Sequence, residues 1–185
     1  MVSLGALWLP ILLSGVFVFI ASSILHMVLP LHRKDYGQLP GEEAIRSTIR
    51  DSSVPPGLYM FPHADDYKQA CTPEHMAKFE EGPVGTMVVL PSGPPRMGKS
   101  LLQWFIYTLI IGAIVGYLTG LSTAAGSEYF DVFRRIGTAA LLSYGFSGVV
   151  DSIWKAQNWG TTLRHMLDGL LYSLVTAGVF GWLWP

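Results

Sequence analysis

The sequence predicts an all-α membrane protein with four transmembrane helices and a small α+β polar insertion between the first and second helices. The first reason is composition: 50% of the 185 residues are hydrophobic and only 14% are charged, whereas globular proteins have about 25% charged residues. The second reason is charge placement. No Asp, Glu, Lys or Arg occurs before Arg33, whereas eight Lys/Arg and nine Asp/Glu lie between residues 33 and 99.

Residues 4–30 are predicted to form transmembrane helix 1, since about 20 apolar residues cross a bilayer core. The run reads "LGALWLPILLSGVFVFIASSILHMVL". A signal peptide would need a basic start and a small-residue cleavage site, and "MVSLGALW" carries no positive charge. We therefore expect an anchor that is not cleaved.

Residues 31–100 form the polar insertion, and its turn residues predict two short helices and two strands. "LPGEEAIRSTIR" is typical of a helix, and "TPEHMAKFEEG" predicts a second one with Thr72 as N-cap, Pro73 in the first turn and Gly82 as the stop. "VPPGLYMFPH" and "GTMVVLPSGPP" predict strands that can pair. The insertion has no basic stripe, so we expect no nucleic-acid partner.

The other predicted transmembrane helices cover residues 101–121, 132–150 and 163–184. Small residues recur there at four-residue spacing, which lets helix backbones approach closely. We expect these stripes to pack within the chain, with docking of a partner through one stripe as the alternative. The stripes consist of Gly112, Gly116 and Gly120 in helix 2, Ala139, Ser143 and Ser147 in helix 3, and Ser173, Ala177 and Gly181 in helix 4. Pairing at four-residue spacing is also predicted for Arg164 with Asp168 and for Asp151 with Lys155.

The distribution of Lys and Arg predicts orientation, because cytoplasmic loops carry an excess of these residues. Ten of the twelve lie on the side that carries the insertion. This places residues 31–100 in the cytoplasm of a bacterial inner membrane and both termini outside. The predicted membrane anchors are Arg33, Lys34, Arg96, Lys99, Trp182 and Trp184.

The stretch "GPPRMGKS", Gly93–Ser100, matches the phosphate-loop pattern G-x-x-x-x-G-K-[ST]. A working loop cradles phosphates with consecutive backbone N–H groups, and Pro94 and Pro95 have none. The helix that follows is apolar enough to lie in lipid, and the insertion is too short for a parallel α/β sheet. We therefore predict that the chain binds no nucleotide.

Two histidine sets are candidate sites. His63, Cys71 and His75 carry donors that zinc accepts, although their spacing matches no strong pattern. His26 and His165 are predicted near the cytoplasmic ends of helices 1 and 4, where they could hold a haem or a quinone. No Ser/His/Asp or Cys/His set indicates nucleophilic catalysis, so neither an enzyme nor a firmly assigned cofactor is predicted.

Three stretches resemble a family of small bacterial integral membrane proteins: "MVSLGALWLPILLSGVFVFIASSILHMVLPLHRKDY", "VVLPSGPPRMGKSLLQWF" and "TTLRHMLDGLLYSLVTAGVFGWLWP". The resemblance implies a bacterial origin. Because that family carries no established activity, it transfers no functional residues. The predicted role is a non-catalytic accessory or scaffolding subunit whose partners are the bilayer and other membrane subunits or itself. The alternatives are a small oligomeric transport or channel component and a redox membrane anchor.

Overall fold

A computed structural model describes all 185 residues, which form two compact units. The first unit contains Met1–Tyr36 and Arg96–Pro185, and the second contains Gly37–Pro95. In chain order the elements are α1 (Trp8–Ser23), α2 (Glu42–Asp51), β1 (Gly57–Phe61), α3 (Tyr67–Ala70), α4 (Pro73–Glu81), β2 (Gly85–Val89), α5 (Met97–Gly120), α6 (Tyr129–Gly145), α7 (Val149–Trp154) and α8 (Trp159–Leu183).

Four helical segments of the first unit are long and apolar enough to cross a membrane. They are Leu4–Val28, Met97–Gly120, Tyr129–Trp154 and Trp159–Leu183. The first consists of α1 with a 3-10 turn before it and a π-helical turn, Ile24–Val28, after it. The mostly helical fold and the four candidate spans agree with the predicted fold class, and they suggest a multi-pass membrane protein.

The third span differs from the prediction because it is interrupted. Helix α6 ends at Gly145, and α7 begins at Val149. Ser147 therefore lies in the break between two helices, and its prediction as a member of a helical small-residue stripe was wrong. Gly145 and Gly148 flank the break, and glycine is a poor helix former.

Helix α8 is central to the first unit because it packs on both α6 and α1. Small residues make this packing close. A Cβ on Gly116 would meet Phe180 at 2.9 Å, and a Cβ on Gly181 would meet Tyr129 at 2.8 Å. Gly112, Gly116 and Gly120 are all buried against other parts of their own unit, so their faces are already occupied within the chain.

The predicted membrane anchors are exposed except for one tryptophan. Arg33, Lys34, Arg96 and Lys99 have exposed side chains, and Trp182 is 69% exposed. Trp184 is half-buried and packs against the hydrophobic core. Its indole N–H donates to the Ala124 carbonyl at 2.9 Å.

The second unit contains the predicted pair of strands. Strands β1 and β2 are antiparallel, with Tyr59 opposite Met87. Helix α4 begins as predicted: Thr72 is the N-cap and accepts a hydrogen bond from the His75 N–H, and Gly82 follows the last helical residue.

The stretch that matches the phosphate loop has a different geometry from a nucleotide-binding loop. Strand β2 before it belongs to an antiparallel sheet of two strands. Helix α5 after it begins at Met97, with Arg96 at the N-cap position. Ser100 lies inside the first turn of α5, because the helix starts before residue 101, where it was predicted to begin.

Candidate functional site

Three histidines and two aspartates gather at one end of the first unit, where α1 ends and α8 begins. His26 lies in the π-helical turn after α1, a kind of distortion that is frequent at functional sites. Leu29 is extended, as expected before a proline, and the turn Pro30–His32 then brings His32 back towards α8. Arg164, His165 and Asp168 lie in the first turns of α8.

His32 is at the centre of the cluster. Its Nδ1 lies 2.6 Å from Oδ2 of Asp35, and its Nε2 lies 3.0 Å from Oδ2 of Asp168. Its ring stacks on His26 with centroids 4.3 Å apart, and on His165 with centroids 5.5 Å apart. The imidazole is thus held between two carboxylates and two other imidazoles.

Asp35 is buried and has its own positive partner. The guanidinium of Arg164 donates to Oδ1 of Asp35 through Nε at 2.7 Å and also through Nη2. Burial alone would raise the pKa of the Asp35 carboxyl, but the hydrogen bonds from His32 and Arg164 outweigh it and lower the pKa from its ordinary value of 3.8. Asp35 is therefore an anion that fixes the His32 ring, and Arg164 balances its charge.

Asp168 has no Lys or Arg partner, and the imidazoles of His26 and His32 are its only ion-pair contacts. Its Oδ2 and the Nε2 of His32 are both buried, and neither makes a hydrogen bond, although they lie only 3.0 Å apart. Buried polar atoms are nearly always hydrogen-bonded, so an unpaired pair of them requires an explanation. A cation between the two atoms would satisfy both.

His26 offers a third ligand atom. Its Nδ1 lies 3.1 Å from the carbonyl oxygen of Ser22. Since a carbonyl only accepts, Nδ1 carries the proton and Nε2 of the neutral ring has a free lone pair. That Nε2 lies 3.8 Å from Oδ2 of Asp168, and ligand atoms of His26, His32 and Asp168 all lie within 4.8 Å of one another.

Two imidazoles and one carboxylate form a known type of site for divalent transition metals. Ligand atoms bound at about 2.1 Å lie about 3.0 Å apart at a right angle and about 3.4 Å apart at a tetrahedral angle. The 3.0 Å separation of His32 and Asp168 already fits. The contact of Asp35 with Nδ1 of His32 matches the carboxylate that orients many metal-binding histidines.

A second group, formed by His32, Asp35 and His165, also has its ligand atoms within 4.8 Å. In this group Nδ1 of His32 already binds Asp35 at 2.6 Å, and Asp35 is already neutralised by Arg164. The first group is therefore the better metal site.

The site opens into a cavity of about 540 Å³ among α1, α5, α6 and α8. His26, His165 and Asp168 contribute to its wall. Half of the remaining wall is apolar or aromatic, and the other half consists of four hydroxyl residues and two glycines. The apolar and aromatic residues are Met27, Met97, Leu101, Trp104, Tyr144 and Tyr172, and the hydroxyl residues are Ser22, Ser23, Ser147 and Thr162. Any ligand that reaches the metal site through this cavity passes these residues.

The histidines predicted from the sequence have different outcomes. His26 and His165 do belong to one cluster, but the His32 ring stacks on both of them. The space between them thus holds an imidazole, which is not the open gap that a haem would require. His63, Cys71 and His75 do not form a group of ligand atoms within 4.8 Å. His63 and Cys71 are exposed, and His75 is buried beside Phe79.

Sequence reasoning missed His32 and Asp35, and it gave Asp168 the wrong partner. Arg164 was expected to pair with Asp168, but it binds Asp35, because Asp168 is buried on the inner face of α8. The Asp151–Lys155 pair is confirmed, with an N–O distance of 2.7 Å. The missed signal was the stretch "HMVLPLHRKD", which places two histidines and an aspartate directly after the first span.

Comparisons of the chain with protein-family models, with curated proteins and with solved structures find no match.

Proposed function

We propose that this chain is a multi-pass membrane protein that binds a divalent transition-metal ion at one end of its helical bundle. His26 and His32 supply nitrogen ligands through Nε2, and Asp168 supplies Oδ2. The observation that carries the proposal is the buried pair of unpaired atoms, His32 Nε2 and Asp168 Oδ2, 3.0 Å apart. Asp35 and Arg164 act as outer partners that orient His32.

The donor set favours a transition metal over calcium or magnesium. Imidazole nitrogen suits Zn²⁺, Fe²⁺ and Co²⁺, whereas Ca²⁺ and Mg²⁺ prefer oxygen ligands. Three protein ligands leave open coordination positions, and the adjacent cavity provides space for water or another small ligand there. Open positions are typical of metal sites that bind or transform a ligand.

Ion binding requires a small movement of His26. Its ring is nearly parallel to that of His32, with an angle of 4° between the planes, so the two lone pairs do not yet converge. The His26 side chain is 46% exposed, and it borders the cavity, so its ring can rotate. We expect the separation of its Nε2 from Asp168 Oδ2 to shorten from 3.8 Å to about 3.0–3.4 Å.

The competing arrangement has no metal. A doubly protonated His32 would bridge Asp35 and Asp168 as an imidazolium and would neutralise the second carboxylate itself. The 3.0 Å separation of His32 Nε2 and Asp168 Oδ2 is also the distance expected for this ion pair. The two arrangements differ in whether the purified protein takes up a metal.

The test uses the full chain in a non-ionic detergent, stripped with a chelator and titrated with Co²⁺. Co²⁺ reports coordination through its visible absorption bands. We expect one Co²⁺ per chain with nitrogen and oxygen ligands, displaced by Zn²⁺. His32→Asn and Asp168→Asn should weaken binding by more than about 100-fold, beyond the 10–100-fold effect of outer-shell partners.

The matched control is His63→Asn, because the His63 side chain is 69% exposed and its one ion-pair contact is with Asp65, at 3.9 Å. It should leave Co²⁺ binding unchanged. The proposal fails if the parent chain takes up no Co²⁺ while it remains folded, which would favour the imidazolium arrangement. It also fails if His63→Asn removes binding and Asp168→Asn does not.

The cellular setting belongs to the same proposal. The excess of Lys and Arg supports a cytoplasmic location for the bundle end that carries the site, in a bacterial inner membrane. An accessory or scaffolding role, with other membrane subunits or a second copy as partner, stays a prediction. The buried glycines of α5 do not favour that role, because they contact their own unit.

A further inference from the structure

The cavity beside the proposed metal site has two kinds of wall. Its polar groups include His26, His165 and Asp168. The hydroxyl of Tyr172, another lining residue, is buried and has no hydrogen-bond partner. Together with His32 Nε2 and Asp168 Oδ2 this is the third buried polar atom without a hydrogen bond at this end of the unit, and it favours a ligand with a polar end.

The apolar part of the wall is packed inside and exposed at its edge. The indole N–H of Trp104 donates to the Ser22 hydroxyl at 2.8 Å, and its ring packs beside Tyr172 with centroids 5.8 Å apart. Met27 and Met97 are 78% and 64% exposed. Flexible methionines are typical of surfaces that accept variable apolar ligands. The volume of about 540 Å³ lies within the range of small-molecule pockets.

The charged residues around the cavity indicate which headgroup the ligand should have. Asp168 is the only carboxylate in the wall, and the wall contains no Lys or Arg. Asp35 lies behind the site and is neutralised by Arg164. A divalent ion beside Asp168 therefore leaves one uncompensated positive charge, and a buried charge requires a partner. A ligand with a single negative charge on oxygen satisfies it.

We propose that the cavity binds a single-chain amphiphile with a monoanionic oxygen headgroup, of the fatty-acid class. A headgroup oxygen takes an open position of the metal, and the alkyl chain lies along Leu101 and Trp104 towards the methionines at the edge. The location among helices of membrane-spanning character gives such a molecule access from the bilayer. This inference rests on the proposed metal site.

The test again uses the full chain loaded with Co²⁺ in a non-ionic detergent, with laurate as the probe. Laurate should change the Co²⁺ absorption bands at concentrations at least about tenfold below those at which acetate does, because acetate has the same headgroup without the chain. Dodecanol has an alkyl chain of the same length but no negative charge, so it should leave the Co²⁺ absorption bands unchanged.

Two substitutions test the proposed position of the alkyl chain of the ligand. Leu101→Trp fills the cavity, whereas its neighbour Leu102 is 60% exposed and does not line it. Leu101→Trp should weaken laurate binding at least about tenfold, and Leu102→Trp should not. Both variants should keep the Co²⁺ spectrum of the parent, which shows that the metal site is intact.

The outcomes separate the two proposals. Absence of any Co²⁺ spectrum from the folded parent chain contradicts the metal site itself. A normal spectrum that acetate and laurate change at equal concentrations overturns the amphiphile proposal alone. Equal laurate affinity in the two tryptophan variants overturns it as well.

Discussion

Asp35→Asn is the sharpest test of the arrangement around His32. The Asp35 side chain is only 6% exposed and accepts hydrogen bonds from His32 and Arg164. A hydrogen bond to a charged group contributes about 1.5–3 kcal/mol, and a neutral one about 0.5–1.5 kcal/mol. Asp35→Asn removes the negative charge from the acceptor and weakens the hydrogen bonds from both partners by about 1–1.5 kcal/mol each. The substitution should therefore lower the free energy of unfolding by about 2–3 kcal/mol. This is less than the full cost of a broken buried pair, because the Arg164 side chain is 30% exposed.

The same substitution should lower Co²⁺ affinity by about 10–100-fold, as for other outer-shell partners of metal-bound histidines. Unfolding by SDS added to the detergent-solubilised chain, followed by tryptophan fluorescence, measures the first effect. The control is Asp65→Asn, whose side chain is 86% exposed and which should change stability by less than about 0.5 kcal/mol. Equal stability and equal Co²⁺ affinity of the two variants would refute the reasoning.

The pH dependence of the Asp35 effect has a definite sign. The pKa of this carboxyl is lower in the folded chain than its ordinary value of 3.8, so the unfolded chain binds the proton more tightly. The stabilisation is therefore fully present above pH 3.8, and it is lost as the pH falls through the lowered pKa. The stability difference between the parent and Asp35→Asn should shrink over that acid range.

Three further predictions concern packing, nucleotide binding and orientation. A Cβ on Gly169 would lie 2.6 Å from the backbone nitrogen of Gly145, so Gly169→Ala should destabilise the chain by about 1–3 kcal/mol in the same SDS titration. The control is Gly148→Ala, which should be nearly neutral because a Cβ there would have nothing within 4 Å. In equilibrium dialysis with ATP, the parent chain and Lys99→Ala should both show no specific binding. Specific ATP binding by the parent chain that Lys99→Ala abolishes would contradict the prediction that the chain binds no nucleotide. Cys71 is the only cysteine and is exposed. Since residues 31–100 are proposed to be cytoplasmic, an impermeant maleimide should modify Cys71 in inside-out vesicles and not in intact spheroplasts. Modification in spheroplasts alone would show the opposite orientation.

The helical spans were predictable because hydropathy is a local property. About 20 consecutive apolar residues are enough to identify a span, and the α4 caps follow from the identities of Thr72 and Gly82 alone. The break after Gly145 was not predictable in the same way. Glycines lie at both ends of the break, but glycines also lie inside unbroken helices such as α5. The break coincides with the close approach of Gly145 to Gly169 in another helix, and hydropathy carries no information about that contact.

The partners within the candidate site were predictable only in part, because they are distant in sequence. Arg164 and Asp168 have the spacing of a helical surface pair, which is worth about 0.3–0.5 kcal/mol. Asp35 instead offers Arg164 a buried carboxylate, which the turns from Ile24 to His32 bring beside α8. The competition is decided by backbone geometry outside the helix, so spacing along α8 alone gives the wrong partner.

The difference between the two aspartates is the strongest argument that a cation belongs in the site. Asp35 has Arg164, whereas the ion-pair contacts of buried Asp168 are with two imidazoles, and a buried carboxylate without a compensating charge costs several kcal/mol. Either a proton on His32 or a metal ion can supply that charge. A metal that binds only the folded chain raises its stability by about 2.7 kcal/mol at 100 times the dissociation constant. Zn²⁺ should therefore stabilise the parent chain in the SDS titration and leave Asp168→Asn unchanged, whereas a proton on His32 predicts no dependence on Zn²⁺ in either.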